Sequence, residues 1–104
     1  MNEARLAFIS MMVEMEIGPV LQALGDPVRL AIVRELVAGE PKACGTFDQL
    51  GVSPSTLSHH FKVLRSAGVI ETRVEGRQRL NSLRRDELDA RFPGLLDSVL
   101  KALA

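Results

Sequence analysis

The rhythm of the chain changes at Gly68, and that change limits the possible folds more than any other feature. From Ser53 to about Ala67 the residues read as one helix with both ends marked. Ser53 is a preferred N-cap and Pro54 follows at the first helical position, where its missing N–H costs nothing. Val52 and Leu57 have the spacing of a hydrophobic staple. Gly68 can take the left-handed conformation that closes a helix. At about 100° per residue, Leu57, Phe61 and Leu64 share one face, and Ser55, Ser58, His59, Lys62 and Ser66 the opposite one, with Thr56 and His60 on the flanks. Beyond Gly68 the pattern alternates, with Ile70, Thr72 and Val74 on one side and Glu71, Arg73 and Glu75 on the other. Glu75-Gly76 reads as a two-residue hairpin turn, and Arg77 to Leu83 as the returning strand. Ser and Thr are mediocre helix formers, so a helix that displays several of them serves something outside the fold.

The segments before and after extend the pattern. Asp26, Pro27 and Gly39 mark a helix made largely apolar by Val28, Leu30, Ala31, Ile32, Val33, Leu36 and Val37. A short helix near Ala43 to Leu50 ends at Gly51, directly before the capped one, and two helices joined by so short a turn form a helix-turn-helix. Between Asn2 and Ile17, apolar residues including Leu6, Ile9, Met12 and Val13 cover more than one helical face, which predicts burial against another subunit. Gly18-Pro19 punctuates this helix and Val20 to Leu24 resumes it. At the other end Asp86 can cap a helical turn and Phe92-Pro93-Gly94 interrupts it. Leu95, Leu96, Val99, Leu100 and Leu103 then form an apolar stripe.

A chain of 104 residues fits one domain with a modest core that gains from dimerisation. The absence of Trp and Tyr weakens any reading built on stacking platforms for single-stranded nucleic acid. The net charge of zero hides an asymmetry, because Ser53 to Arg85 holds seven basic and two acidic residues, a net of +5, on an otherwise acidic chain. Such a block predicts a polyanion partner at one surface. A single cysteine, Cys44, and the lack of a convincing cleavable leader point to the cytoplasm. No apolar run reaches the roughly 20 residues that span a bilayer, so no membrane partner is expected.

The order helix, helix, helix-turn-helix, two-stranded wing, helix is that of a mostly α, winged helix-turn-helix domain. Three segments, LGDPVRLAIVREL, LGVSPSTLSHHFKVLRSAGVI and VEGRQRL, in this order and spacing, resemble the ArsR/SmtB family of small dimeric bacterial repressors. The resemblance implies one domain over 1–104, with dimerisation helices at 1–24 and 86–104, the helix-turn-helix at 43–67 and the wing at 69–83. It implies a homodimer on an inverted-repeat operator in double-stranded DNA, with each recognition helix in a major groove. Ser55, Thr56, Ser58 and His59 would then read base edges, with Ser53, Lys62 and the wing residues Arg73, Arg77 and Arg79 completing the DNA-binding set. Leu6, Ile9, Met12, Val13, Leu96, Val99 and Leu103 would form the dimer interface.

Departures from the family bear on control. Many members carry a Cys-x-Cys pair on the helix before the turn, where this chain has Lys42 and Cys44. The other common site uses His on the last helix, yet residues 84–104 contain none. His59 and His60 diverge by about 100° and cannot chelate one ion together. No metal site and no cofactor are therefore expected. Phe47 stands where such units place a small residue at the helix crossing, so the short helix is expected slightly farther from its partner. Cys44 reads as a small buried residue and His60 as a structural, hydrogen-bonded one. Three routes of control stay open: a thiol switch at Cys44, an unidentified small molecule at the dimer interface, or abundance alone. An enzyme is not expected, since neither a nucleophile–base pair nor a phosphate-cradling loop is present. The competing reading is a winged helix used as a protein-interaction module.

Overall fold

In the computed structural model, which describes residues 15–104, two helices precede the turn. α1 (Ile17–Leu24) takes Gly18 and Pro19 into its first turn, where backbone N–H groups lack helical acceptors in any case, so no break falls at these two residues and the non-helical residues are Met15 and Glu16 just before them. α2 (Pro27–Leu36) starts at Asp26, whose carboxylate accepts the N–H groups of Val28 at 2.8 Å and Arg29 at 3.1 Å. Val20, Ala23 and Leu24 of α1 and Ile32, Val33 and Leu36 of α2 enter the core.

The helix expected over Ala43 to Leu50 is instead a two-residue strand, β1 (Lys42–Ala43), followed by a 3₁₀ helix, Cys44–Leu50. Gly45, Thr46 and Asp48 are poor helix formers, and tighter winding is tolerated over a short piece. It turns Phe47 fully inward, edge-on to Phe61 with ring centroids 5.2 Å apart and planes at 72°. The large residue at the crossing is therefore part of the core. Cys44, expected to be buried, is exposed because it stands at the outer start of this segment.

α3 (Pro54–Ser66) is capped as its sequence requires, with Ser53 Oγ accepting the Thr56 N–H at 3.2 Å. Leu57, His60, Phe61 and Leu64 are buried, and α3 packs against α1, α2 and the strand that follows. Gly68 closes it at φ +83°, and a Cβ there would stand 3.0 Å from a guanidinium nitrogen of Arg84 and 3.4 Å from Met15.

β2 (Ile70–Glu75) and β3 (Gln78–Leu83) form the antiparallel wing, and β1 pairs on the far side of β3, giving the order β1-β3-β2. Glu75 pairs with Gln78, so the turn residues are Gly76 and Arg77, one step later than expected. Gly76 has φ +60° while Arg77, like every described non-glycine residue, does not have positive φ, which are the signs of a type II′ hairpin turn with glycine first. Asn81, fully buried, ties the three strands together. Its Oδ1 accepts from Thr72 at 2.7 Å, and its Nδ2 donates to the Lys42 carbonyl at 3.1 Å. Burial fades toward the tip, where Val74 is 71% exposed.

α4 (Arg85–Arg91) has Arg84, not Asp86, as its N-cap. Asp86 lies with Glu87 in the first turn, where a carboxylate favours the positive end of the helix dipole. In α5 (Leu95–Leu103), Leu96 is 2% exposed and belongs to the protomer's own core, so it does not face a partner as expected. Leu95, Val99, Leu100 and Leu103 are only half-buried. Leu6, Ile9, Met12 and Val13 lie outside the described residues.

Candidate nucleic-acid interface

The outer face of α3 presents Ser55, Thr56, Ser58, His59 and Lys62 to solvent, with Ser53 at its start. Ser53 serves the cap first. Its Oγ accepts the Thr56 N–H, donates to Thr56 Oγ1 at 2.9 Å and stands 3.3 Å from Ser55 Oγ. The hydroxyls of Ser55, Thr56 and Ser58 and the ring of His59 are the compact donors and acceptors at the N-terminal half, the part of a groove-bound helix that meets base edges.

The wing distributes its cations over both faces. Val74 pairs with Arg79 and Arg73 with Leu80, and paired residues share a face. Arg79 thus extends the core-facing side beyond the core, and Arg73 lies on the opposite side, 3.5 Å from Glu75. Arg77 occupies the tip. Of the basic block, Arg84 is only 6% exposed and Arg85 pairs with Asp97 at 3.2 Å. The outward cations of the block are therefore Lys62, Arg65, Arg73, Arg77 and Arg79, so every cation expected to touch DNA is on the surface.

Sequence reading missed Arg29. A guanidinium among Val28, Leu30 and Ala31 was the available signal. Its Nε donates to the Ala23 carbonyl at 2.6 Å, Nη2 donates to the Gln22 carbonyl at 3.3 Å, and Nη1 lies 3.1 Å from His60 Nδ1. His60 is buried, as expected, and its Nδ1 is also 3.8 Å from Asp26 Oδ2. Burial, the largest single influence on Asp26, acts to raise its pKa. The amide of Arg29, the His60 ring, the amide of Val28 and the Arg29 guanidinium together outweigh burial and hold it below the ordinary carboxylate value.

A shallow groove of about 310 Å³ separates α1 from α3, lined by Pro19, Gln22, Ala23, His59, Lys62, Val63, Ser66 and Ala67. Cys44 Sγ lies 3.5 Å from Asn81 Nδ2, which donates to it. Among the described residues no three His, Cys, Asp or Glu side chains converge as metal ligands, and no helix is long and apolar enough to cross a membrane.

Comparison with known proteins matches a helix-turn-helix domain family to residues 24–73, which run from the end of α1 into β2. The chain is 39% identical over 82 residues to the HTH-type transcriptional regulator YceK of Bacillus subtilis, covering 77% of this chain and 82% of that protein. It is 36% identical over 74 residues to the arsenical resistance operon repressor of Staphylococcus xylosus, covering 71% of each. Among solved structures, the fold is shared with the homodimeric winged helix-turn-helix DNA-binding domain of Mb0332 from Mycobacterium bovis, described as a possible ArsR-family transcriptional regulator. The TM-score is 0.65 at 24% identity, over 97% of this chain and 88% of that one.

Proposed function

The chain belongs to the ArsR/SmtB family of helix-turn-helix transcriptional regulators, and from that premise we propose that it is a cytoplasmic repressor that binds an inverted-repeat operator as a homodimer. The observation that carries the reading is the exposed face of α3, with its short polar side chains flanked by Lys62 and the wing arginines. Ser55, Thr56, Ser58 and His59 read base edges, while Lys62, Arg73, Arg77 and Arg79 hold phosphates and Ser53 fixes the helix start. Supporting the dimer are the half-buried stripe on α5 and the homodimeric state of the Mycobacterium bovis neighbour. Two such helices related by a two-fold axis meet successive major grooves roughly 34–36 Å apart. The repressor works without a bound metal, because its one thiol and two diverging imidazoles do not supply the three or four ligands a tight site needs.

Titration of labelled duplex from upstream of its own coding region decides the matter. We expect binding at least about a hundredfold tighter than to random duplex at the same moderate salt. Equal affinity for the two duplexes would remove the proposal.

The exposure of Cys44 favours one addition, in which modification of the thiol disturbs the Asn81 hydrogen bond and with it the wing. Release of operator by mild peroxide that disappears in Cys44→Ser would establish this addition. Unchanged binding would leave a small molecule or abundance as the control.

A further inference from the structure

The attachment of α3 to the body of the protein is polar at one point. His60 is 8% exposed and its Nδ1 faces Nη1 of Arg29 at 3.1 Å. A guanidinium has donors only, so Nδ1 is the acceptor and the ring is neutral with its proton on Nε2. Because the same guanidinium holds the Gln22 and Ala23 carbonyls, one fork joins the end of α1, the start of α2 and the middle of α3.

We propose that His60 and Arg29 are positioning residues for DNA reading. The neutral Nε2–H form of His60, held by Arg29, sets the roll of α3 about its axis and so the aim of Ser58 and His59, and protonation of the ring releases it. The proposal rests on the DNA-binding reading above and adds a device to it. Apart from His60, the buried side of α3 is Leu57, Phe61 and Leu64, and apolar packing holds a helix down without strongly fixing its direction. A hydrogen bond is directional, and this one leaves the helix at the residue next to His59, so any rotation it permits or forbids passes directly to the base-reading side chains.

A proton on Nδ1 removes the acceptor and places a second cation 3.1 Å from the guanidinium. Asp26, at 3.8 Å and so beyond hydrogen-bond distance, compensates only in part. Among the described residues the remaining titratable neighbour is the His59 ring, with centroids 5.8 Å apart, and α1 contributes two carbonyls to the Arg29 guanidinium. Operator affinity therefore falls when the His60 ring gains this proton.

Side-chain amides can mimic each ring nitrogen separately. His60→Asn puts an oxygen acceptor near the position of Nδ1, His60→Gln places its amide near Nε2, and His60→Leu offers neither. At pH 7.5 we expect His60→Asn to bind operator within about threefold of wild type, and the Gln and Leu variants about tenfold more weakly, with random-duplex affinity unchanged in all three. Between pH 7.5 and 5.5 wild type should lose about tenfold more affinity than His60→Asn, and because His59 is present in both proteins the difference isolates His60. A Gln or Leu variant that reads operator like wild type, or parallel pH curves for wild type and His60→Asn, would overturn the proposal.

Nitrogen-15 chemical shifts of His60 in the wild-type protein test it even where variants unfold. A bare Nδ1 with a titration midpoint matching the loss of operator affinity supports it; an Nδ1–H tautomer, or two separate midpoints, overturns it. If wild type binds operator and random duplex alike, the DNA reading itself has failed, and the tautomer on the free protein still decides whether the fork exists.

Discussion

Ser58 and His59 stand on the outer face of α3 and the arginines on a ribbon beside it, and this division of place implies a division of labour. Replacing Ser58 or His59 by Ala should relax sequence preference by about 1–3 kcal/mol for each base edge no longer read, measured as the operator-to-random affinity ratio. Replacing Arg77 or Arg79 should weaken all duplexes alike and flatten the salt dependence by about one unit for each phosphate no longer neutralised. Gly68 is held more tightly than Gly76, for although both have positive φ, only Gly68 has neighbours within reach of an added Cβ. Gly76→Ala should cost about 1–2 kcal/mol in denaturant unfolding, and Gly68→Ala should cost more, because Arg84 and Met15 must shift as well. Residues whose role is local were legible in the sequence. Asp26 and Ser53 cap the helices that follow them because a cap needs only its next three neighbours. Leu96, Cys44 and Arg29 were misjudged or missed because their burial and partners come from elements far away in the chain, and no window around each residue contains that information.

At the level of elements, the α2 cap is where acid should act on stability. The pKa of Asp26 in the folded protein lies below its ordinary 3.8, so the stability it contributes is fully present above that value and is lost as pH falls through the lower folded one. Asn is as good an N-cap as Asp, so Asp26→Asn should keep α2 while flattening the acid limb of a melting-temperature profile between about pH 5 and 2. A profile that keeps its wild-type slope would show that other carboxylates carry the acid response. Helices and hairpin were visible as periodicities, but their edges moved where two signals competed. Asp86 has the composition of a cap, yet the chain leaves β3 at Leu83 and Arg84 already stands at the helix start. The hairpin turn moved by one residue because the Thr72–Asn81 pair fixes the register and thereby puts glycine first in the turn. Composition predicted a helix before the turn but did not distinguish a 3₁₀ helix from an α-helix, since the inward pull on Phe47 is a tertiary effect.

For the whole molecule, the dimer proposed above makes separate claims on two leucine-stripe positions. Leu96→Asp should unfold the chain, because its site is inside the protomer. Val99→Asp should leave a folded but dissociated protein, read as a loss of two-fold mass in sedimentation at low micromolar concentration with helical circular dichroism retained. If Val99→Asp sediments as the wild type does, the interface lies elsewhere, and the half-exposed Ile17 and Leu21 of α1 are the next positions to change. The order β1-β3-β2 has a consequence for how many copies can share a small volume. β2 is an edge strand over Ile70–Glu75, long enough to accept a strand from another molecule, and its tip is apolar at Val74. Along that edge Glu71, Arg73 and Glu75 are all exposed, so an incoming strand would have to desolvate alternating charges, a common defence of open sheet edges. The alternating charges of this one strand thus also bear on the colloidal behaviour of the molecule, since they disfavour strand-to-strand association between crowded copies.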